Sequence, residues 1–134
     1  MSPLIVIELP GEPATSARPR FGKGRTYRDP RHEATLDETV TRMRLAWRRP
    51  SCTGPVHLQI DALFRPPKRN VPTHCVKRPD WDNVGKFYCD ALVRAGVLFD
   101  DASVIDGRVR KMYASAPGME RVIVTVWAAD GSAR

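Results

Sequence analysis

Apolar and polar positions recur along most of the chain with periods that predict strands and helices. Leu4 to Leu9 (LIVIEL) is an apolar run of strand type. Asp29-Pro30 marks a helix start, with an acid in the capping position and proline at the first helical position. Leu36, Val40, Met43 and Trp47 follow at three- and four-residue steps, so they share one helix face, and Pro50 stops that helix. Val56, Leu58, Ile60 and Ala62 alternate with His57, Gln59 and Asp61, the pattern of a half-buried strand. A second helix is predicted over Asn83–Ala95, with Val84, Phe87, Tyr88, Ala91, Leu92 and Ala95 on one face and Gly96 as its stop. Val97–Phe99 is short and apolar. Arg108–Ala114 and Arg121–Ala128 read as an antiparallel pair joined by SAPGME.

Two stretches lack any such period. Pro10–Arg28 is rich in Pro, Gly and Arg and carries Arg18, Arg20, Lys23, Arg25 and Arg28, with Glu12 as its one acid. It reads as a long basic loop or a twisted hairpin. Loops of that length in compact domains are usually functional or disordered, so a phosphate-contacting arm is expected here, with a solvated loop as the plainer alternative. Arg65–Arg78 (RPPKRNVPTHCVKR) is a second proline-rich basic stretch. The tail DGSAR is expected to fray.

The length of 134 residues fits one domain with its own core. No apolar run reaches the ~20 residues of a membrane span, and the N-terminus lacks the pattern of a signal peptide. Cys52, Cys75 and Cys89 are an odd number in no metal-like spacing, which points to a reducing compartment, hence the cytosol. A zinc set drawn from Cys52, His57, His74 and Cys75 fits no usual spacing. Cys89 reads as a packing residue, Trp47 and Trp127 as core, and Trp81 has the alternative of stacking on an unpaired base. The formal charge of +7 and pI near 9.8 favour an anionic partner, nucleic acid above all.

That charge is uneven. Asp80, Asp82, Asp90, Asp100, Asp101 and Asp106 lie in one stretch whose only bases are Lys86 and Arg94. With Asp80–Asp82 extended, both side chains point to one side. The following helix runs ~20 Å, and the six residues after its stop can span the same distance back. Asp100 and Asp101 are therefore able to return beside Asp80 and Asp82. Clustered carboxylates need a cation, and oxygen-only ligands favour magnesium, manganese or calcium. Lys86, four residues beyond Asp82, reaches the same place. Carboxylates, a divalent cation and a lysine on a basic protein suggest phosphodiester cleavage. The plainer readings are a helix cap for Asp82, an Asp90–Arg94 pair and a turn at Asp100-Asp101.

The stretch KRPDWDNVGKFYCDAL, followed by VLFDDASVIDGRVRKM, resembles the RusA family of Holliday junction resolvases. The shared pattern is Asp80-x-Asp82-Asn83-x-x-Lys86, Asp90-Ala91-Leu92, Asp100-Asp101 and Asp106-x-Arg108-x-x-Lys111. Arg18-Pro19-Arg20 and Tyr27 resemble the family's N-terminal region more loosely. The resemblance implies a small α+β homodimer, with a mixed sheet of four or five strands and two main helices, that cuts four-way DNA junctions with magnesium or manganese. It makes Asp80, Asp82 and Asp101 the metal-binding aspartates, Lys86 the essential lysine and Asp100 an accessory acid. DNA would be held by Arg18, Arg20, Lys23, Arg25 and Arg28 of the first basic stretch, by Lys68, Arg69, Lys77 and Arg78 of the second, and by Lys111. Two departures stand out: Trp81 replaces the usual aliphatic between the acids, and Gly85 weakens the first helical turn. A phage or prophage origin is in keeping with the family. A two-fold dimer suits two matched nicks, since one chain has one acidic cluster. No membrane or small-molecule cofactor is expected. The rivals are a general branched-DNA or flap nuclease and a catalytically silent nucleic-acid-binding module.

Overall fold

The computed structural model describes residues 2–16, 20–22, 25–27 and 29–129. Its elements are β1 (Ile5–Pro10), β2 (Arg20–Gly22), β3 (Arg25–Tyr27), α1 (Pro30–Ala46), β4 (Val56–Phe64), α2 (Trp81–Arg94), a 3-10 turn (Asp101–Ser103), β5 (Val104–Tyr113) and β6 (Arg121–Ala128). This is a small α+β domain with a four-stranded mixed sheet in the order β1-β6-β4-β5. Of the two readings of the first basic stretch, loop or hairpin, the β2–β3 pair is the hairpin, with Arg20 opposite Tyr27 and Gly22 opposite Arg25. The side chains of Arg18, Arg20, Lys23, Arg25 and Arg28 lie outside the described residues.

Helix α1 starts as its sequence predicts. The Asp29 carboxylate accepts a hydrogen bond from the Arg31 amide at 2.8 Å, and Pro30 occupies the first turn, where a missing N–H costs nothing. Leu36, Val40, Met43 and Trp47 are all buried. They pack with Val84, Phe87, Tyr88, Ala91 and Leu92 of α2 against one face of the sheet, where Val56, Leu58, Ile60, Ala62 and Phe64 of β4 point. Phe87 meets Tyr88 edge-on at 4.9 Å and His32 at 5.6 Å. The Tyr88 hydroxyl accepts from the Ala14 amide at 2.9 Å; burial pushes the phenol up to about 12.

Three expectations are corrected. First, β5 and β6 are not a hairpin pair. β4 lies between them, parallel to β5 and antiparallel to β6. Burial decides this: Val122, Val124 and Val126 of β6 are fully buried and so is much of β4, whereas β5 carries exposed Asp106, Arg108 and Arg110 and is stable only at an edge. The connection after β5 crosses the end of β4, tied by the Ala114 amide donating to the Phe64 carbonyl at 2.8 Å. Second, α2 begins at Trp81, so Asp82 is helical and only Asp80 is extended (φ −69°, ψ 149°). Third, Trp127 is half-buried and lies on the sheet face opposite the helices, across from His57; Trp47 is the core tryptophan.

Candidate active site

The first turn of α2 presents Asp80 at the capping position, Asp82 inside the turn and Lys86 one turn on, all exposed. Asp80 makes no capping hydrogen bond through its side chain, while Asp82 Oδ1 accepts from the Asn83 amide at 3.0 Å. The positive end of the helix favours both carboxylates there. Lys86 follows Asp82 at the four-residue spacing that shares a helix face.

Two further lysines meet on the segment that leads into this turn. Lys77 Nζ lies 3.3 Å from Glu12 Oε2, and Lys111 Nζ donates to the Lys77 carbonyl. Both ammonium groups stand over the Phe64 ring, at 5.4 and 5.9 Å from its centroid. Glu12 also accepts from the Arg65 amide at 2.8 Å, so one carboxylate ties the first basic stretch to the second. No periodicity in the sequence marks Glu12 or Phe64 as organisers. The only signal was that Glu12 is the lone acid in a basic stretch. Lys68, Arg69 and Arg78 are exposed on the same connecting segment.

Asp100 and Asp101 stand elsewhere along α2. The charges felt by Asp101 are those of Asp100 and Asp90, and those felt by Cys89 are Asp101 and Asp90. Asp90 is eight residues beyond Asp82, or about 12 Å along the helix. The expected return of Asp100 and Asp101 beside Asp80 and Asp82 is therefore corrected. After Gly96 the chain does not run straight back. Val97 and Leu98 turn into the core, where the Cys52 amide donates to Val97 and Phe99 donates to Cys52. The return toward the start of α2 is made by β5 instead, whose Val109 lies against Gly85. An alanine Cβ at Gly85 would sit 3.0 Å from Val109 Cγ2, so the weak helix former permits the close approach of α2 to β5.

The Asp100–Asp101 pair is electrostatically split. Asp100 caps the 3-10 turn by accepting from the Ala102 amide at 3.0 Å, and that bond, with one from Asp101, holds it below the usual carboxylate range. Asp101 is raised, first by sharing a hydrogen bond with Asp100, then by desolvation and the charges of Asp100 and Asp90. Two exposed hard-oxygen groups that repel one another have the donor chemistry of a magnesium ligand set. Among the described residues, however, no three His, Cys, Asp or Glu side chains are close enough to hold a metal ion. A single chain offers the carboxylates as two separated pairs.

The other acids and bases have structural partners. Asp61 is buried on the helix-free face of the sheet, 2.6 Å from Arg110 Nε, and both its oxygens accept from Gln59 Nε2 at 3.1 and 3.2 Å. Asp106 is on that face as well, level with His57. No hydrogen bond or ion pair joins Asp90 to Arg94 among the described residues. Trp81 is 62% exposed between the two acids.

The described residues form a mixed sheet covered on one face by two helices, with exposed acids and a lysine at the start of α2. The family model for endodeoxyribonuclease RusA matches residues 10–126, and the chain belongs to that family. It is similar to the crossover junction endodeoxyribonucleases RusA of Escherichia coli strain K12 and of strain O1:K1 / APEC. Each is 31% identical over 119 residues, covering 89% of this chain and 92% of the relative. The crossover junction endodeoxyribonuclease of Enterobacteria phage 82 is 30% identical over the same shares.

Proposed function

We propose that the protein is a structure-specific endodeoxyribonuclease that resolves four-way DNA junctions by paired nicks, acting as a homodimer with magnesium or manganese. The observation that carries this is the family match across residues 10–126 together with Asp80, Asp82 and Lys86 exposed over the cap and first two turns of α2, led into by a segment on which Lys77 and Lys111 meet. Lys77 and Lys111, braced on Phe64, would bind backbone phosphates next to the acids. Lys86 would stabilise the charge that develops on the phosphoryl oxygens. Asp80 with Asp82, and separately Asp100 with Asp101, are the carboxylate pairs that would be open to a cation, which when bound would polarise the phosphate and acidify water. Two copies would supply two sites for two strands, and the basic stretch Pro10–Arg28, whose Ser16 amide donates to the Asn83 carbonyl at 3.0 Å, would flank each. The setting would be the cytosol of a bacterium or a phage-infected cell, and no helix among the described residues is long and apolar enough to cross a membrane.

The test is cleavage of a synthetic four-way junction with and without magnesium, beside a linear duplex. Metal-dependent nicks in paired strands of the junction and little cutting of the duplex are expected. Equal cutting of both would sink the resolvase reading and leave a general nuclease. Binding without cutting at any divalent metal would leave a silent module.

A further inference from the structure

The C-terminal ends of α1 and α2 meet on the molecule's surface: His32 in the first turn of α1 meets Phe87 midway along α2, and Arg44 in the last turn of α1 reaches the Arg94 carbonyl, at 3.1 Å, at the end of α2. Between these ends lies an open cleft of about 650 Å³ lined by Arg44, Arg48 and Arg49, with Trp47, Ala95 and Gly96 among its other walls. Among the described residues no acidic side chain lines it.

Bases at a helix end usually complement the dipole and cap free carbonyls. Here that work is already done. Arg44 binds the Arg94 carbonyl, and Ser51 Oγ donates to the Gly96 carbonyl at 2.7 Å. Trp47, which ends α1, donates its amide to Met43 and its indole N–H to the Pro50 carbonyl at 3.2 Å. Arg48 and Arg49 lie beyond the helix end. The Arg49 guanidinium is held 4.5 Å from the centre of the Trp47 ring, which presents it at the cleft rather than leaving it to sample solvent. Arg48 is exposed and has no hydrogen bond or ion pair among the described residues. Planar guanidinium forks gathered in one cleft without acids match phosphate oxygens.

We propose that this cleft is a second DNA-backbone site, in which Arg44, Arg48 and Arg49 bind phosphates of a segment about 18 Å along α2 from the one at Asp82. It rests on the junction-nuclease reading above and adds a contact surface that the acidic turn and the two basic stretches do not include. A strand advances 3.4 Å per phosphate, so the two sites are roughly five phosphates apart on a continuous strand, or on different arms of a branched one.

The test uses the full chain in magnesium-free buffer, so that binding to a fluorescent four-way junction is read without cutting. Arg48→Gln, Arg48→Gln with Arg49→Gln, and Arg42→Gln as a charge-matched control on α1 are compared across a salt series, with thermal melting to show that each is folded. The slope of log K against log salt should fall by about 0.9 for Arg48→Gln and about twice that for the double variant, as expected for lost phosphate contacts on duplex DNA. Arg42, which pairs with Glu38 at 3.4 Å, should give a smaller change. Slopes for the cleft variants no different from Arg42→Gln would overturn the proposal. If the wild type still cuts the junction in magnesium, the function stands and only the cleft is wrong. If the wild type neither binds nor cuts it, both readings fail.

Discussion

Asp82 and Lys86 carry the sharpest consequences at the residue scale. Both are exposed and neither is in the core, so their removal changes chemistry and not folding. Asp82→Asn should bind a junction as tightly as wild type and cut it at least about 100-fold more slowly, since even groups that only support a metal ligand are worth about 10–100-fold. Lys86→Ala should lose roughly 100- to 1000-fold in single-turnover cutting, the range for a group that stabilises transition-state charge. Wild-type rates in either variant would remove that residue from the site. Cys89 makes a different point. Burial, then the charges of Asp101 and Asp90, push its thiol up to about 11, so the thiolate is scarce at neutral pH. Relative to an ordinary thiol at 9.0, alkylation at pH 8 should be about 100-fold slower in the native protein than after denaturation. Fast native labelling, mapped by mass spectrometry, would show that the helix flank is open.

The contact of α2 with β5 decides most at the element scale. Helix propensity alone says that Gly85→Ala should stabilise α2 by about 1 kcal/mol. The packing says the opposite: the new methyl would lie 3.0 Å from Val109 Cγ2, and a β-branched valine in a strand has few rotamers to give way. Overpacking costs of about 1–3 kcal/mol outweigh the propensity gain. Gly85→Ala should therefore lower the melting temperature, and adding Val109→Ala should recover part of the loss. A rise in melting temperature for the single variant would show that the two elements are not held this close. Much of this scale was legible beforehand. The α1 stripe, the Asp29-Pro30 start and the strand β4 follow from local pattern, because each side chain's burial there depends on its neighbours three, four or two residues away. Pairing of β5 with β4 was not legible, because strand order depends on which strands can afford an edge, a property of the whole sheet. The return path after Gly96 was not legible either. Chain length permitted the acids to meet, but burial of Val97 and Leu98 took the chain into the core first.

One chain of 15.0 kDa holds one set of candidate catalytic residues at the scale of the whole molecule, and matched nicks in two strands need two sets. Sedimentation of the free protein should give about twice the chain mass, and a junction should bind two chains. A single chain on the junction with both strands cut in one binding event would refute the dimer.

The sequence by itself determined the elements, the basic character, the family resemblance and the residues on which chemistry depends. Those are local facts, written in spacing and in residue type. Only the tertiary structure decided where they stand. It put β4 between β5 and β6, placed Asp101 beside Asp90 instead of beside Asp82, and bound Lys77 and Lys111 to Phe64 and Glu12. It also gathered Arg44, Arg48 and Arg49 at one end of two helices. The reason is physical: residues far apart in the chain meet only where burying the core brings their elements together, and no local period encodes that choice.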